Sequence, residues 1–522
     1  MARMSVLIQA LLDPRCYPHP VAEVRLLETH ISWLLLTGAY AYKIKKPVCL
    51  EFVDFQTLEL RHHYCLEELR LNRRYAPQLY LDVVPITGSE AHPSVAGAGE
   101  AIEYAVKMRE FSQDDLLDRR LSRGSLGPLQ IDKLADACAR FHATAAIAPA
   151  RYGTAAALLA PALANFATIR SLSSDARSRE RISELERWTC AEHARNTTVF
   201  RARKRAGRIR ECHGDLHLGN IALIDGEPTL FDCIEFNESF RWIDVMNEMA
   251  FAVMDLTARG RPDYARRLRN RYLEAGGDYA GLAVAPFYLV YRALVRAKVD
   301  CIRASQPDIA APARALQWED FTERLGLAES FARPGRPFLA ITCGLAGSGK
   351  THASQSALER IDAIRIRSDV ERKRLCGLEP CAPSGSAMDS GIYSQRMSDR
   401  TFARLAKLAK TVIAAGYPVI VDAAFIRRDR RAPFQRLAAS LGVPFVIISC
   451  RADEEVLAER IAQRQAEGRD ASEATLEVLR EQQRRAQALD DTEREQAVVV
   501  DSADPRSIEM MVNRLAAIGR FD

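Results

Sequence analysis

The sequence predicts an α/β and α+β multidomain chain: a small β-rich lobe leads into a larger helical lobe, and a doubly wound parallel sheet follows. Three observations predict this. Apolar residues alternate in short runs before about residue 112, as in strands with one buried face. From Gln113 onward the apolar spacing is mostly helical. After residue 337, short apolar strands alternate with helical segments, the pattern of parallel βα units. The length agrees, since 522 residues at about 150 per domain exceed what one core holds.

Taken in order, ISWLLL and AYAYKI read as two strands joined through Thr37-Gly38-Ala39, a hairpin signal. LEELRLNRRYA reads as a helix, followed by the strands YLDVVPI and IEYAVKMREF. The boundaries expected are a β-rich lobe over 1–112, a helical lobe over 113–331, a linker at 332–337 and a last domain over 338–522. Pro334-Gly335-Arg336-Pro337 marks the seam, because no helix continues through it. Beyond it, strands are expected at 338–343, 363–367, 417–422, 444–450 and 497–501. The charged tract 171–211 reads as a solvated helical insertion.

Composition excludes several classes. A hydrophobic share of 48% with 27% charged residues is that of a globular protein, which leaves out disorder and coiled coil. The net charge of +5 is spread along the chain and nominates no nucleic-acid partner. Twelve cysteines without a C-x-x-C fit reduced thiols. No run approaches the roughly 18 uninterrupted apolar residues of a membrane span, and the opening residues lack a signal-peptide pattern. A soluble, cytoplasmic protein is expected. Lysine is scarce beside arginine, so a lysine inside a motif carries weight.

Gly344-Leu345-Ala346-Gly347-Ser348-Gly349-Lys350-Thr351 matches G-x-x-x-x-G-K-[ST], with the strand FLAITC before it and the helix HASQSALERI after it. Gly344, Gly347 and Gly349 let the backbone curl so that N–H groups, that of Ser348 included, point at phosphate oxygens. Lys350 would reach the β- and γ-phosphates, and Thr351 would ligate Mg²⁺. The next strand, AIRIRS, ends at Ser368-Asp369 and is taken to lie beside the P-loop strand. There Asp369 would accept a proton from an attacking hydroxyl and Arg372 would neutralise charge in transfer. The competing role for Asp369 is a plain cap on a helix over 370–375. YPVIVDA ends at Asp422, placed to help hold Mg²⁺. Arg460 and Arg464 lie one helical turn apart, like arginines of a lid closing over ATP.

Upstream, His213-Gly214-Asp215-Leu216-His217-Leu218-Gly219-Asn220 reads H-x-D-L-x-x-x-N, a kinase-type catalytic loop with glycine in place of arginine. Asp215 would take the acceptor's proton and Asn220 would bind Mg²⁺. IALI and TLFD, joined at Asp225-Gly226-Glu227-Pro228, form a hairpin that returns Asp232 to the same place. His213 and His217 read as structural hydrogen-bonders. A phosphate-gripping lysine is expected on AYAYKIKK; Lys43 is favoured and Lys45 is the alternative. Glu68 is the candidate partner, ahead of Glu67.

Residues 338–522 resemble the P-loop kinase group that includes polynucleotide 5′-kinases, zeta-type toxins and gluconate kinases, through the P-loop and the S-D-x-x-R of Ser368, Asp369 and Arg372. Residues 1–331 resemble the aminoglycoside phosphotransferase and choline kinase superfamily, through HGDLHLGN and FDCIEF. The whole order resembles the family described as bifunctional aminoglycoside phosphotransferase-like/ATP-binding proteins. The resemblance implies a bilobal protein-kinase-like fold followed by a P-loop NTPase domain, with ATP and Mg²⁺ as cofactors. It implies phosphoryl transfer to a hydroxyl, with a small-molecule acceptor first and a nucleic-acid 5′-hydroxyl second. The rival class is a nucleotide-binding regulator with one or both halves inactive, and a toxin-like kinase in the P-loop half is the third reading. One departure stands out: Thr29-His30-Ile31-Ser32 lies where a G-x-G-x-x-G loop belongs. Asp114, Asp115, Glu235 and Glu238 are acids that no spacing singles out for a polycationic acceptor.

Overall fold

The computed structural model describes residues 5–519, apart from 51–52, 174, 308, 381, 387–389, 468–470 and the side chains of 464 and 467. Two compact units divide it, one of Met1–Ala137, Phe141–Leu158 and Arg201–Asp255, the other of Cys138–Arg140, Leu159–Phe200 and Leu256–Asp522.

The first unit begins with a six-stranded antiparallel sheet. Its strands are β1 (Arg25–Glu28), β2 (Ser32–Leu36), β3 (Tyr40–Lys45), β4 (Tyr80–Ser89), β5 (His92–Val95) and β6 (Ala101–Arg109), in the order β1-β2-β3-β6-β4-β5. Helix α1 (Leu58–Asn72) starts at Thr57, whose hydroxyl accepts the Leu60 amide. It packs Cys65 and Leu69 on one face of the sheet against Leu36, Ala41, Tyr80, Val106 and Met108. Leu35, Tyr42, Ile44 and Ala105 point to the other face and meet Leu7, Ile8 and Leu11. Sequence reading found β2, β3, β4 and β6. It missed the four-residue β5 and also β1, whose pattern of mostly exposed residues gives no alternation.

Helices α2 (Pro128–Thr144), α3 (Ala155–Leu172) and α4 (Ala176–Arg205) follow; α4 takes in most of the charged tract, helical as expected but amphipathic rather than solvated, since Ile182, Leu185 and Phe200 are buried. By length and composition α3 is long and apolar enough to cross a membrane, with a mean hydropathy of 1.3, although Asn165 and Arg170 interrupt it. The expectation concerned uninterrupted apolar runs, and α3 holds none of that length. Strand β7 (Ile209–Glu211) leads to the hairpin β8 (Ile221–Ile224) and β9 (Glu227–Leu230). Asp225 and Gly226 at its turn both have positive φ, as a two-residue hairpin turn requires. Strand β10 (Trp242–Asp244) pairs with β7, and α5 (Val245–Ala258) follows.

The second unit takes in most of α3 and α4 and contains α6 (Pro262–Gly276), α7 (Ala285–Ala304) and α8 (Ala311–Ala332), which ends just ahead of the Pro-Gly-Arg-Pro seam. The rest is a five-stranded parallel sheet wound with helices. It consists of β11 (Leu339–Cys343), α9 (Lys350–Arg360), β12 (Ile364–Arg367), α10 (Ser368–Leu375), α11 (Gln395–Ala414) and β13 (Val419–Asp422). After these come α12 (Arg428–Leu441), β14 (Phe445–Arg451), α13 (Glu454–Glu467), α14 (Leu476–Arg485), β15 (Ala497–Asp501) and α15 (Pro505–Gly519). The strand order is β12-β13-β11-β14-β15, all parallel. Ala340, Ile420, Ile448 and Val500 meet Ala353, Met511 and Leu515 in its core. All five strands fall where the sequence placed them. Their arrangement differs in one respect: β12 is an edge strand, separated from the P-loop strand β11 by β13, so Asp369 does not follow a strand beside the P-loop.

Candidate functional site

Two clusters carry the chemistry. In the first unit, Lys43 and Lys45 sit two residues apart on β3 and therefore on one face of the sheet. Lys43 Nζ donates to Glu68 Oε1 at 2.8 Å and to Asp232 Oδ1 at 2.5 Å. Lys45 Nζ donates to Glu68 Oε2 at 2.8 Å and to Glu235. One glutamate on α1 thus ties both lysines. Burial pushes the Glu68 carboxyl up, but the two ammonium groups outweigh it and hold it down to about 2. Lys45 is fully enclosed, whereas the Asp232 side chain beside Lys43 is 44% exposed, so Lys43 is the lysine at the open side. Glu67 is engaged elsewhere, with Arg70 and Arg241.

Asp232 is placed from three directions. It has φ +62, a conformation that Asp tolerates better than most residues. Its amide donates to the Tyr80 hydroxyl at 3.0 Å. The amide of Cys233 donates at 2.9 Å to Asn72 Oδ1, on the same helix as Glu68. Asp215 and Asn220 lie on the loop between β7 and β8, where Asn220 Nδ2 donates to the Asp215 carbonyl at 3.0 Å and to its carboxylate at 3.1 Å. His213 is buried, which pushes its imidazole pKa down and favours the neutral ring. Its Nδ1 accepts the Asp215 amide at 3.3 Å, so the proton is on Nε2, which donates to the Phe231 carbonyl at 2.7 Å. His217 accepts the Gly219 amide through Nδ1 and turns Nε2 to within 3.4 Å of the Asp215 carboxylate. Gly214 has φ +90, and a Cβ there would stand 2.7 Å from the Phe240 carbonyl oxygen, so the usual arginine has no room.

A cleft of about 190 Å³ lies where β6 gives way to the helical segment, lined by Leu79, Glu110, Phe111, Ser112, Leu223 and Ile224 among others. The β1–β2 turn at 29–32 is tight and free of glycine: the Thr29 amide donates to the Ser32 carbonyl at 2.9 Å. The four unassigned acids do not gather. Asp114 pairs with Arg123, Asp115 with Arg120, Glu235 with Lys45 and Glu238 with Arg151.

In the second unit the P-loop joins β11 to α9. Gly347 and Gly349 have φ +82 and +81, and a Cβ on Gly349 would lie 2.3 Å from that of Ser502. Lys350 opens α9 and folds back, donating from Nζ to the Leu345 carbonyl at 2.6 Å. Ser348 is buried, and its hydroxyl is among the described buried polar atoms without a hydrogen-bond partner. Such an orphan inside a curl of backbone amides fits a phosphate oxygen. Thr351 follows in the first turn of α9.

Asp422, at the C-terminal end of β13, is buried, with the Thr342 hydroxyl 3.4 Å and the Ser354 hydroxyl 3.2 Å from its carboxylate oxygens. Asp369 is the second residue of α10; the cap position belongs to Arg367, so Asp369 is not the helix cap that was its competing role. Arg372 turns onto the segment after α10, donating to the Ile392 carbonyl and the Ser398 hydroxyl, each at 3.1 Å. Arg460 donates to the Gly347 carbonyl at 3.2 Å and to Ser502 at 2.6 Å, which brings it to the P-loop. The Arg464 side chain lies outside the described residues.

Sequence reading passed over several residues that hold these sites. Glu248 accepts the amides of His213 at 2.7 Å and Gly214 at 2.9 Å, and Asp255 accepts that of Leu218 at 3.0 Å. The signal was present: both are acids inside the apolar run VMNEMAFAVMDLTA, and a polar residue in such a run is the informative one. Gln482 accepts the Ala346 amide at 2.7 Å, and nothing in its polar helix marks it.

Two family models match the chain, and one of them spans residues of both units. Residues 117–284 match the family model described as the phosphotransferase enzyme family, and 339–489 match the one described as an AAA domain. Uncharacterized proteins of Mycobacterium tuberculosis and Mycobacterium bovis are 32% identical over 469 residues, covering 88% of this chain and 91% of theirs. Among solved structures, a choline/ethanolamine kinase family protein from Mesorhizobium loti is 14% identical, with a TM-score of 0.40, over 62% of this chain and 96% of that one. A gluconokinase from Sinorhizobium meliloti is 21% identical, with a TM-score of 0.26, over 35% of this chain and 94% of that one.

Proposed function

The chain belongs to the family of bifunctional aminoglycoside phosphotransferase-like/ATP-binding proteins, and from that premise we propose that both halves transfer the γ-phosphoryl group of Mg-ATP to a hydroxyl of a small molecule. The enzyme is a kinase; the acceptor class and the residue roles are the proposal. One observation carries it. Lys43, Glu68 and Asp232 are joined by hydrogen bonds across up to 189 residues of sequence, an arrangement that costs burial of charge and serves phosphate binding.

In the first unit, Lys43 grips the phosphates, with Glu68 holding the lysine in place. Asp215 takes the acceptor hydroxyl's proton as its oxygen bonds to the γ-phosphorus and the bond from that phosphorus to ADP breaks. Asn220 and Asp232 would hold magnesium, which supplies neutralisation of phosphate charge. In the second unit the P-loop amides and Lys350 bind the phosphates, Asp369 takes the proton and Arg372 offsets charge. There Thr351 and Asp422 would hold the ion, and Arg460 and Arg464 cover the nucleotide. A nucleotide-binding regulator is the second reading; the glycine-free β1–β2 turn favours it for the first unit. A nucleic-acid acceptor is not favoured, because the P-loop segment contains no tryptophan for stacking.

The test is ATP consumption by the purified protein with and without a small-molecule cell extract, beside Asp215→Asn and Lys350→Ala. Stimulation by extract that one substitution abolishes is the expected result. Flat consumption while labelled ATP still binds replaces transfer with the regulator.

A further inference from the structure

Helix α6 precedes the seam and lies inside the stretch that matches the phosphotransferase model, yet it belongs to the same compact unit as the P-loop sheet. Its residues Arg266, Asn270 and Glu274 recur every four positions and so form one stripe. That stripe meets the segment from the end of α9 through β12 to α10. Arg266 donates to the Glu359 carbonyl at 3.1 Å. Asn270 behaves as a one-residue strand: its Oδ1 accepts the Arg365 amide at 2.8 Å and its Nδ2 donates to the Ala363 carbonyl at 3.0 Å. These are outward-facing backbone groups of the edge strand β12, which water or another chain would otherwise claim.

Glu274 closes the same edge with charge. Arg365 and Arg367 point to one face of β12, and the buried Glu274 carboxylate takes Arg365 at 3.2 Å and Arg367 at 3.3 Å. Burial pushes the Glu274 carboxyl up, and the arginines around it outweigh that and hold it down. Beyond the strand, the Arg374 guanidinium donates to the carbonyls of Glu274 and Ala275. Both ends of the Ser368–Asp369 turn are therefore tied to α6. The start of α10 has no capping side chain of its own, since Arg367 at the cap makes no such bond.

We propose that Asn270 and Glu274 are positioning residues for Asp369, through which helix α6 sets the acceptor side of the P-loop site. This rests on the reading of Asp369 as the proton acceptor there. Glu274 and Asn270 touch neither nucleotide nor acceptor; they fix the strand whose end carries the carboxylate.

The experiment uses the full chain carrying Asp215→Asn, with Mg-ATP alone and water as the acceptor. Phosphate release that depends on Lys350 is measured beside binding of a fluorescent ATP analogue. Glu274→Gln and Asn270→Ala are each expected to lower release at saturating ATP tenfold or more, while the analogue's Kd stays within twofold. Asn270→Ala leaves no buried charge behind and guards against a misfolded Glu274 variant. Adding Asn270→Ala to Asp369→Asn is expected to lower release no further, because both act through one group. Unchanged release in the single variants, weakened analogue binding in step with it, or an additive double variant each overturns the proposal. Amide hydrogen exchange over 364–376, which needs no turnover, must speed up in both variants, and unchanged exchange also overturns it. An inert Asp369→Asn beside an impaired Asn270→Ala discards the reading of Asp369 instead, and the positioning role with it.

Discussion

Lys43 is held by Glu68 and Asp232, 25 and 189 residues away, whereas Lys350 donates to a carbonyl five residues back. The first lysine meets its acids only once α1, β3 and the segment after β9 have come together. The second is prepared by eight consecutive residues between one strand and one helix. The contrast teaches where a site's stability and its chemistry can be separated. At the P-loop they separate, because Lys350 folds back onto a carbonyl of the loop itself. Around Glu68 they do not, because the groups that would bind phosphate also neutralise buried charge.

The sharpest break in this comparison comes from lysine removal. Lys45→Ala strands Glu235 and half of Glu68 in a buried place, and a loss of about 3–5 kcal/mol is expected in chemical unfolding of the first unit. Lys350→Ala is expected to stay within about 0.5 kcal/mol of the parent and to abolish nucleotide binding in its half. Equal destabilisation by the two would end the distinction.

Acidity sharpens it next. Glu68 has a folded value of about 2 against an ordinary 4.5, so its contribution is fully present above pH 4.5 and is lost as pH falls toward 2. Acid unfolding of the first unit is expected to steepen across that window by roughly 3 kcal/mol, and Glu68→Gln to flatten it. A Glu68→Gln profile as steep as the parent's would remove the carboxylate from the account.

The smallest effect is steric. Gly349→Ala places a methyl against Ser502 at a backbone angle that alanine rarely adopts, and about tenfold weaker nucleotide binding is expected with a stability loss of about 1–2 kcal/mol. Titration with a fluorescent nucleotide reads it. Undiminished affinity would show that the loop yields more easily than its geometry says.

The same difference decides what could be read from the sequence. The P-loop, its flanking strand and helix and all five strands of the last sheet are local patterns, and they stand where periodicity put them. The H-x-D-L-x-x-x-N loop and the hairpin that returns Asp232 were legible for the same reason. Strand order was not: nothing in AIRIRS says that β12 pairs with β13 rather than β11, because parallel strands meet through crossovers that any helix can make. Lys43 and Lys45 were indistinguishable on one strand face until Glu235 and Asp232 came back to claim one each. Glu248, Asp255 and Gln482 act on backbone amides far away in sequence, and no residue spacing encodes such a partner. Arg372 adds a partner of the same kind: one nitrogen of its guanidinium donates to Ile392 and Ser398, which its motif spacing does not announce.

A gene fusion is usually pictured as two portable parts with a cut line between them, and Pro334 to Pro337 looks like that line. The helix that closes the parallel sheet is encoded some sixty residues upstream of it. A recombination event at the prolines would carry off five strands with the Ala363 carbonyl and the Arg365 amide bare, and with Arg365 and Arg367 deprived of Glu274. The stretch that the sheet needs therefore begins no later than Pro262, inside the residues that match the phosphotransferase model.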